Sequence, residues 1–293
     1  CSLLIVGYLG PAIGWRNCFY LLGGIGLLLA LAMLFMKETP RKHLQSPEAA
    51  GPAQDRDAEP GAVAAGPAAQ SFRSILKILG RSLRICPALG FTIAGGVALH
   101  FILGAAAFDQ LWYVQERGFE RADIARMTGW IAMIAGLLGN LFGGVGSDWF
   151  LRRTGMGRPM FLFWVMLVLA PFNVAYRLVD GDSIWFWVGV FVGFFQLGCF
   201  YGPTFSTVQE LVPPQIRATV VAFYILLLNL IGLGFGITAG GIVIDLLAAR
   251  GIAEPYTWTL LIFTLFSLLA IPLFFVAGRR YRADRERIFG SFA

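Results

Sequence analysis

The sequence predicts an all-α polytopic membrane protein, and three observations carry that reading. The composition is too apolar for water, seven apolar segments are long enough to cross a bilayer, and the basic residues gather between alternate segments. Of 293 residues, 57% are hydrophobic and only 14% charged, with a mean hydropathy of +0.71, whereas a soluble domain carries about a quarter charged residues. A water-soluble globule could not hide so much apolar surface. The 36 glycines and 26 phenylalanines suit helices packed in lipid, where Gly lets backbones approach closely.

A bilayer core takes about 20 apolar residues of helix. The qualifying segments are Trp15 to Met36, Pro87 to Val114, Ile124 to Gly146, Pro159 to Val179, Ile184 to Phe205, Ala218 to Leu247 and Thr257 to Ala277. The chain opens on Cys1, inside an apolar stretch too short to span and with no signal-peptide n-region or cleavage site, and is read as a segment of a longer protein. Grouping alternate connections puts all of the 23 Lys and Arg on one side except Arg16, Arg117, Arg121, Arg126, Arg177 and Arg250. Short cytoplasmic loops retain basic residues, so that side is assigned to the cytoplasm. Trp112, Tyr113, Trp185, Trp187, Tyr256 and Trp258 fall at the opposite helix ends, where an interfacial aromatic belt is expected.

Four regions follow: 1–36, an apolar N-terminal part; 37–86, a cytoplasmic connection; 87–277, a six-helix bundle; and 278–293, a basic cytoplasmic tail. Gln45 to Gln70 is rich in Ala, Gly and Pro and lacks apolar periodicity, as a flexible linker does. Beyond it Arg73, Lys77, Arg81 and Arg84 recur at helical spacing beside Ile75, Leu76, Leu79 and Leu83. This is either an amphipathic helix on the inner leaflet or a cytoplasmic extension of the next spanning helix.

The net charge of +6 does not point to nucleic acid, because the basic residues lie between apolar segments and not in one stripe with aromatics. Cys1, Cys18, Cys86 and Cys199 have no paired spacing, so neither a disulfide framework nor a zinc site is implied. The two histidines, His43 and His100, form no H-x-x-x-H pair, and no P-loop is present. No cofactor is expected. A membrane enzyme acting on lipids, the alternative from another class, lacks a visible acid pair, metal cluster or nucleophile with its base.

The stretch Gly144-Val-Gly-Ser-Asp148-Trp-Phe-Leu-Arg152-Arg153 carries mechanism. A small residue at Gly144 lets two helices close, Asp148 places a carboxylate at a helix end, and Arg152 and Arg153 can bridge to neighbouring carboxylates. It resembles the G-x-x-x-D-x-x-x-R-R loop between the second and third helices of each six-helix half of the major facilitator superfamily. That resemblance implies a cytoplasmic gate latch; the plainer alternative is a helix cap followed by positive-inside arginines. Gly10-Pro11-Ala-Ile-Gly14-Trp15-Arg16, an apolar helix and then Glu38-Thr39-Pro40-Arg41 look like the fifth-to-sixth helix hairpin and the start of the central loop. On this count the first four helices and part of the fifth are absent from the chain.

The run from Gly202-Pro203 through Gln209-Glu210-Leu-Val-Pro213-Pro214 to Arg217-Ala218-Thr219, followed by Asn229-Leu-Ile-Gly232-Leu-Gly234, is similar to the Spinster branch of that superfamily. The branch implies a carrier of lysophospholipids or sphingoid-type amphiphiles, or of another organic anion. Glu210 and Arg217 then join the expected cytoplasmic gate.

Ionisable and amide groups inside a membrane are costly and are functional candidates by default. His100 lies about 20 Å along its helix, near the bilayer middle, where an imidazole takes up a proton or binds a phosphate, or stays neutral and bonded to a neighbouring helix. Asp109 lies near the outer mouth, suited to coupling or to an ordinary gate ion pair. Asn140, Gln196, Tyr201 and Asn229 are further candidates for a central cavity or for interhelical bonds. Gly232, Gly236 and Gly240 continue the helical face of Asn229, which turns that face towards protein or cavity and away from lipid.

The expected function is transport by alternating access, driven by a proton gradient or by the substrate gradient alone. A non-transporting transceptor of the same fold is the other alternative. The expected partners are the lipid bilayer, a small-molecule or lipid substrate and possible coupling protons, and the protein is expected to act as a monomer in a bacterial inner membrane.

Overall fold

The computed structural model describes residues 2–35 and 80–292. Seven helices among them are long and apolar enough to span a bilayer: α1 (Ser2–Leu34), α2 (Pro87–Gln115), α3 (Arg121–Thr154), α4 (Arg158–Ala175), α5 (Ile184–Glu210), α6 (Arg217–Ala249) and α7 (Pro255–Ile288). The described residues contain no strand. The linker expected at Gln45 to Gln70, and Arg73 and Lys77 of the amphipathic stretch, lie outside the described residues. Residues 80–85 are helical and Cys86 separates them from α2.

Local chemistry sets the helix ends. Proline occupies the first turn of α2, α4 and α7, where its missing N–H has no intrahelical partner to lose. The Glu120 carboxylate accepts from the N–H groups of Ala122 and Asp123 and starts α3, and the Ser183 hydroxyl does the same for α5. Gly14, at φ 77° and ψ 157°, divides α1 into two helical segments in a conformation that an L side chain rarely adopts. The break after Ser267 in α7 precedes Pro272, whose ring conflicts with the carbonyl four residues back, at Leu268.

α2 to α7 form one bundle with two apolar clusters. One, built on Leu89, Phe161, Phe200, Tyr224 and Phe274, fills the end that carries Asp148. The other, built on Trp112, Tyr176, Phe186 and Leu260, fills the opposite end. Trp112 and Tyr113 therefore do not belong to the expected interfacial belt. They are buried, with Trp112 Nε1 donating to Thr257 Oγ1 at 2.7 Å, while Trp185 and Trp258 remain exposed.

Two backbone approaches tie the bundle together. A Cβ on Gly104 of α2 would stand 2.6 Å from Gly236 Cα of α6. One on Gly143 of α3 would stand 2.6 Å from Cys199 Cα of α5. Only glycine permits such contacts, and dispersion between close backbones is what holds helices together in lipid. The expected face of Gly232, Gly236 and Gly240 does turn inward, onto His100, Phe101 and Phe108 of α2.

The first segment of α1 packs against α3. A Cβ on Gly7 would meet the Arg126 N–H nitrogen at 2.9 Å, and Trp130 Nε1 donates to the Tyr8 hydroxyl at 3.2 Å. Beyond Gly14 the helix carries its apolar side chains outward, and the spanning part of α1 is only 6% buried. At the other terminus residues 278–292 continue the last helix without a break, with Tyr281, Asp284 and Ile288 buried. Asp284 Oδ2 accepts from the Ala88 N–H at 2.8 Å, capping the start of α2.

Candidate functional site

At mid-bundle α2, α5 and α6 line an open cavity, about 630 Å³ including the space at its mouth. His100, Tyr201 and Asn229 are its polar groups, set among Leu103, Leu197, Phe205, Ile225, Leu228 and Leu233. His100 Nδ1 lies 2.9 Å from the Gly96 carbonyl, which can only accept, so that nitrogen carries the proton. Nε2 is then the lone-pair side and points at the Tyr201 hydroxyl, 3.5 Å away. Phe200 and Tyr201 hold the imidazole between rings with centroids 5.2 and 5.9 Å from its own. The Asn229 amide donates to Ile225 O at 2.9 Å while the residue lines the cavity.

The backbone of α6 explains that placement. Leu228–Gly234 forms a π turn, a local rewinding often found at functional positions. It sets Gly232 against the His100 Cβ while Asn229 stands at the cavity edge.

The other membrane candidates separate from this group. Asp109 and Gln196 line a different cavity, where Asp109 pairs with Arg177 at 2.7 Å and Asn173 donates to Gln196 at 2.8 Å. Asn140 lines neither cavity: its amide is exposed and donates to Gly136 O of its own helix. A side chain that can satisfy itself one turn back needs no partner across the bundle.

At the Asp148 end the expected gate is reorganised. The motif is not a loop, because α3 runs through a π turn at Phe142–Gly146 and continues as helix to Thr154, ending at the left-handed Gly155. A Cβ at Gly144 would meet nothing within 4 Å, so the close approach belongs to its neighbour Gly143. Among the described residues Arg152 reaches the Asp148 carbonyl in its own helix, at 3.3 Å, Arg153 lies over the Trp149 ring, and neither bridges to a neighbouring carboxylate.

The bridging residue is Arg158. Its Nε donates to Asp148 Oδ1 at 2.9 Å and its terminal nitrogen reaches both oxygens of Glu210 at 2.6 Å. Glu210 also accepts from the Tyr281 hydroxyl. Arg158 and Glu210 together thus join the ends of α3, α4 and α5 to the C-terminal part of α7. Among the described residues Arg217, at the start of α6, makes no bond to this group, and its Nε is buried without a hydrogen-bond partner.

The profile of the Major Facilitator Superfamily matches residues 1–236. The chain belongs to the major facilitator superfamily. This facilitator is similar to the Drosophila melanogaster protein spinster, at 30% identity over 148 residues covering 47% of this chain and 24% of that protein. An MFS-type efflux pump of Mycolicibacterium smegmatis is 24% identical over 289 residues, covering 97% of this chain and 61% of the pump. The probable galactarate/D-glucarate transporter GudP of Escherichia coli is 26% identical over 158 residues, 52% of this chain and 34% of its own length.

Among solved structures, a bacterial homologue of the human lysosomal transporter Spinster, inward-facing and unoccupied, superposes with a TM-score of 0.66 at 19% identity. The match covers 96% of this chain and 63% of that one. The occupied form of the homologue gives 0.64 at 18% identity. These superpositions show the fold. The facilitator chain spans less than two thirds of the length of each of these relatives. It is a multi-pass membrane protein, and two of its relatives are named as a probable transporter and an efflux pump.

Proposed function

We propose that this bundle supplies one wall of a carrier that moves an amphiphile by alternating access, with His100, Tyr201 and Asn229 holding its polar head. The observation that supports this is the make-up of the mid-bundle cavity, three polar side chains within a wall otherwise formed by Leu, Ile and Phe. Such a wall suits a ligand with a small polar head and a hydrocarbon body, and carriers of this fold class bind near the midplane between repeated bundles. Lysophospholipids and sphingoid-type phosphates are the substrates this reading favours. Transport runs on a proton gradient or on the substrate gradient, across a bacterial inner membrane, with the Asp148 end facing the cytoplasm.

The relay of Asp148, Arg158 and Glu210 is the cytoplasmic gate in this reading, and the packing of Gly7 and Tyr8 on α3 closes the opposite end. The test is uptake of a lysophospholipid and of glucarate by the full-length protein in liposomes. His100→Ala and Asn229→Ala should each cut lysophospholipid flux by about tenfold while leaving insertion unchanged. Glucarate flux without lysophospholipid flux, or flux indifferent to both substitutions, would reject the assignment.

A further inference from the structure

The cavity around Asp109 and Arg177 lies inside the bundle, and every residue that lines it falls between Leu99 and Leu268. It has about 750 Å³ of space, including that at its mouth, and shares only Leu103 and Leu197 with the His100 cavity. It is bordered by four helices of this chain, α2, α4, α5 and α7, together with Tyr176 and Arg177 just beyond α4.

Its polar side has unused capacity of both signs. Arg177 is 3% exposed, with Trp112 and Tyr176 rings 4.7 and 4.5 Å from its guanidinium carbon. Aromatic faces beside the guanidinium leave its edge for hydrogen bonding. One terminal nitrogen on that edge donates to Asp109 Oδ1 at 2.7 Å, and Nε is buried with no hydrogen-bond partner among the described residues. An unpaired donor on a buried cation is costly, and a ligand oxygen that reached it would relieve that cost. The Asp109 side chain keeps 20% of its surface open. Beside the pair, Asn173 donates to Gln196 Oε1 and Leu169 O, which leaves the Asn173 oxygen and the Gln196 nitrogen for a ligand. The remaining walls are apolar, with Leu99, Ile102, Val190 and Phe194 foremost.

We propose that this cavity is a second binding site, distinct from the His100 site, for a compact zwitterion with an apolar side chain, such as a branched-chain amino acid. The ligand's anionic group meets the Arg177 edge, its ammonium meets Asp109, and its hydrocarbon lies on the leucine and phenylalanine wall. Charge balance selects the class. Asp109 and Arg177 cancel, so a ligand of single charge would bring a net charge into a poorly hydrated space, whereas a zwitterion adds none.

The probes are L-leucine and the two compounds that each lack one of its charges, 3-methylbutylamine and 4-methylpentanoate. Each is titrated into the 293-residue protein in detergent, followed by tryptophan fluorescence, to which Trp112 beside Arg177 contributes. Leucine should saturate with a Kd at least about tenfold below that of either analogue, a difference of about 1.4 kcal/mol. Gly193→Leu is the blocking variant. A Cβ at Gly193 meets nothing nearer than the Asn173 oxygen at 3.7 Å, so a side chain there grows into the cavity and leaves the ion pair intact. Gly193→Leu should abolish the leucine response and Gly193→Ala should keep it. Equal affinity for leucine and an analogue, no saturation by leucine, or an unchanged response in folded Gly193→Leu would each overturn the proposal.

Discussion

Replacing Arg158 with Gln removes the cation that, among the described residues, bridges Asp148 and Glu210. Arg158 is 12% exposed, while the Glu210 and Asp148 side chains are 31% and 48% exposed. The Glu210 arm has two 2.6 Å contacts and the better shielding, and a charge-assisted bond of this kind contributes about 1.5–3 kcal/mol. The Asp148 arm is half open to water and is worth about 0.5 kcal/mol or less. Arg158→Gln should therefore destabilise the bundle by about 2 kcal/mol, most of it through Glu210. Arg152→Ala and Arg153→Ala should each cost under about 0.5 kcal/mol, because one makes an exposed bond within its own helix and the other only covers Trp149. The assay is reversible unfolding in mixed micelles, with a double-mutant cycle over Arg158→Gln and Glu210→Gln. A coupling energy below about 0.5 kcal/mol, or a loss in Arg152→Ala as large as in Arg158→Gln, would refute the assignment of the bridge.

Glu116 accepts from the N–H groups of Tyr256 and Thr257 and from the Thr257 hydroxyl, each at 2.7 Å, so it caps α7 from the end of α2. Glu116→Ala should cost about 1–2 kcal/mol in the same unfolding assay, and a change within error would remove the cap from the account. Gly104→Ala drives a methyl group onto the backbone of α6 and should lower stability by about 2–3 kcal/mol. Gly202→Ala, where the nearest atom to a Cβ is 3.8 Å away, should be neutral; equal thermal midpoints for the two variants would contradict the close approach.

The spanning segments were legible because length and hydropathy are properties of a single chain, and α2 to α7 fall where the apolar runs do. Side-chain partners were less legible because they depend on which helix ends meet. Arg158 reads in sequence as one more positive-inside charge. It does carry a signal: a cation just before Pro159, in the first turn of an apolar helix, sits against the positive end of the helix dipole and needs a carboxylate nearby. Arg177 likewise counted as an outer-loop charge, although the Tyr176-Arg177-Leu178-Val179 run is apolar on both sides of it, which is the setting of a buried and paired arginine. Gly143 and Gly144 show the finest limit. Adjacent residues on a helix point about 100° apart, and the π turn at Phe142–Gly146 decides which of them faces α5. His100, Tyr201 and Asn229 were named singly from sequence; their convergence on one cavity required the fold.

The helix beyond Gly278 reads in sequence as a basic tail, and its docking gives a test that uses a native thiol. Asp284 is 1% exposed and caps α2 at Ala88, two residues after Cys86, which has no exposed surface. The first N–H groups of a helix have no partner within it, so this remote carboxylate satisfies a donor and complements the positive helix end. Burial, with Asp284 nearby, pushes the Cys86 thiol up to about 12. The reactive thiolate is therefore nearly absent at pH 8, and access is blocked as well. In a protein with Cys1 and Cys18 changed to Ser and Cys199 to Ala, a maleimide should scarcely label Cys86 while the tail is docked. Asp284→Ala removes both the cap and the neighbouring negative charge, and should raise the labelling rate at pH 8 by at least about tenfold through local opening. Asp284→Asn keeps an acceptor for Ala88 without the charge and separates the two effects: a rate near that of Asp284 assigns the protection to the hydrogen bond, and a rate near that of Ala assigns it to the charge. If Asp284→Ala labels no faster than the parent, the tail does not hold this end of the bundle closed.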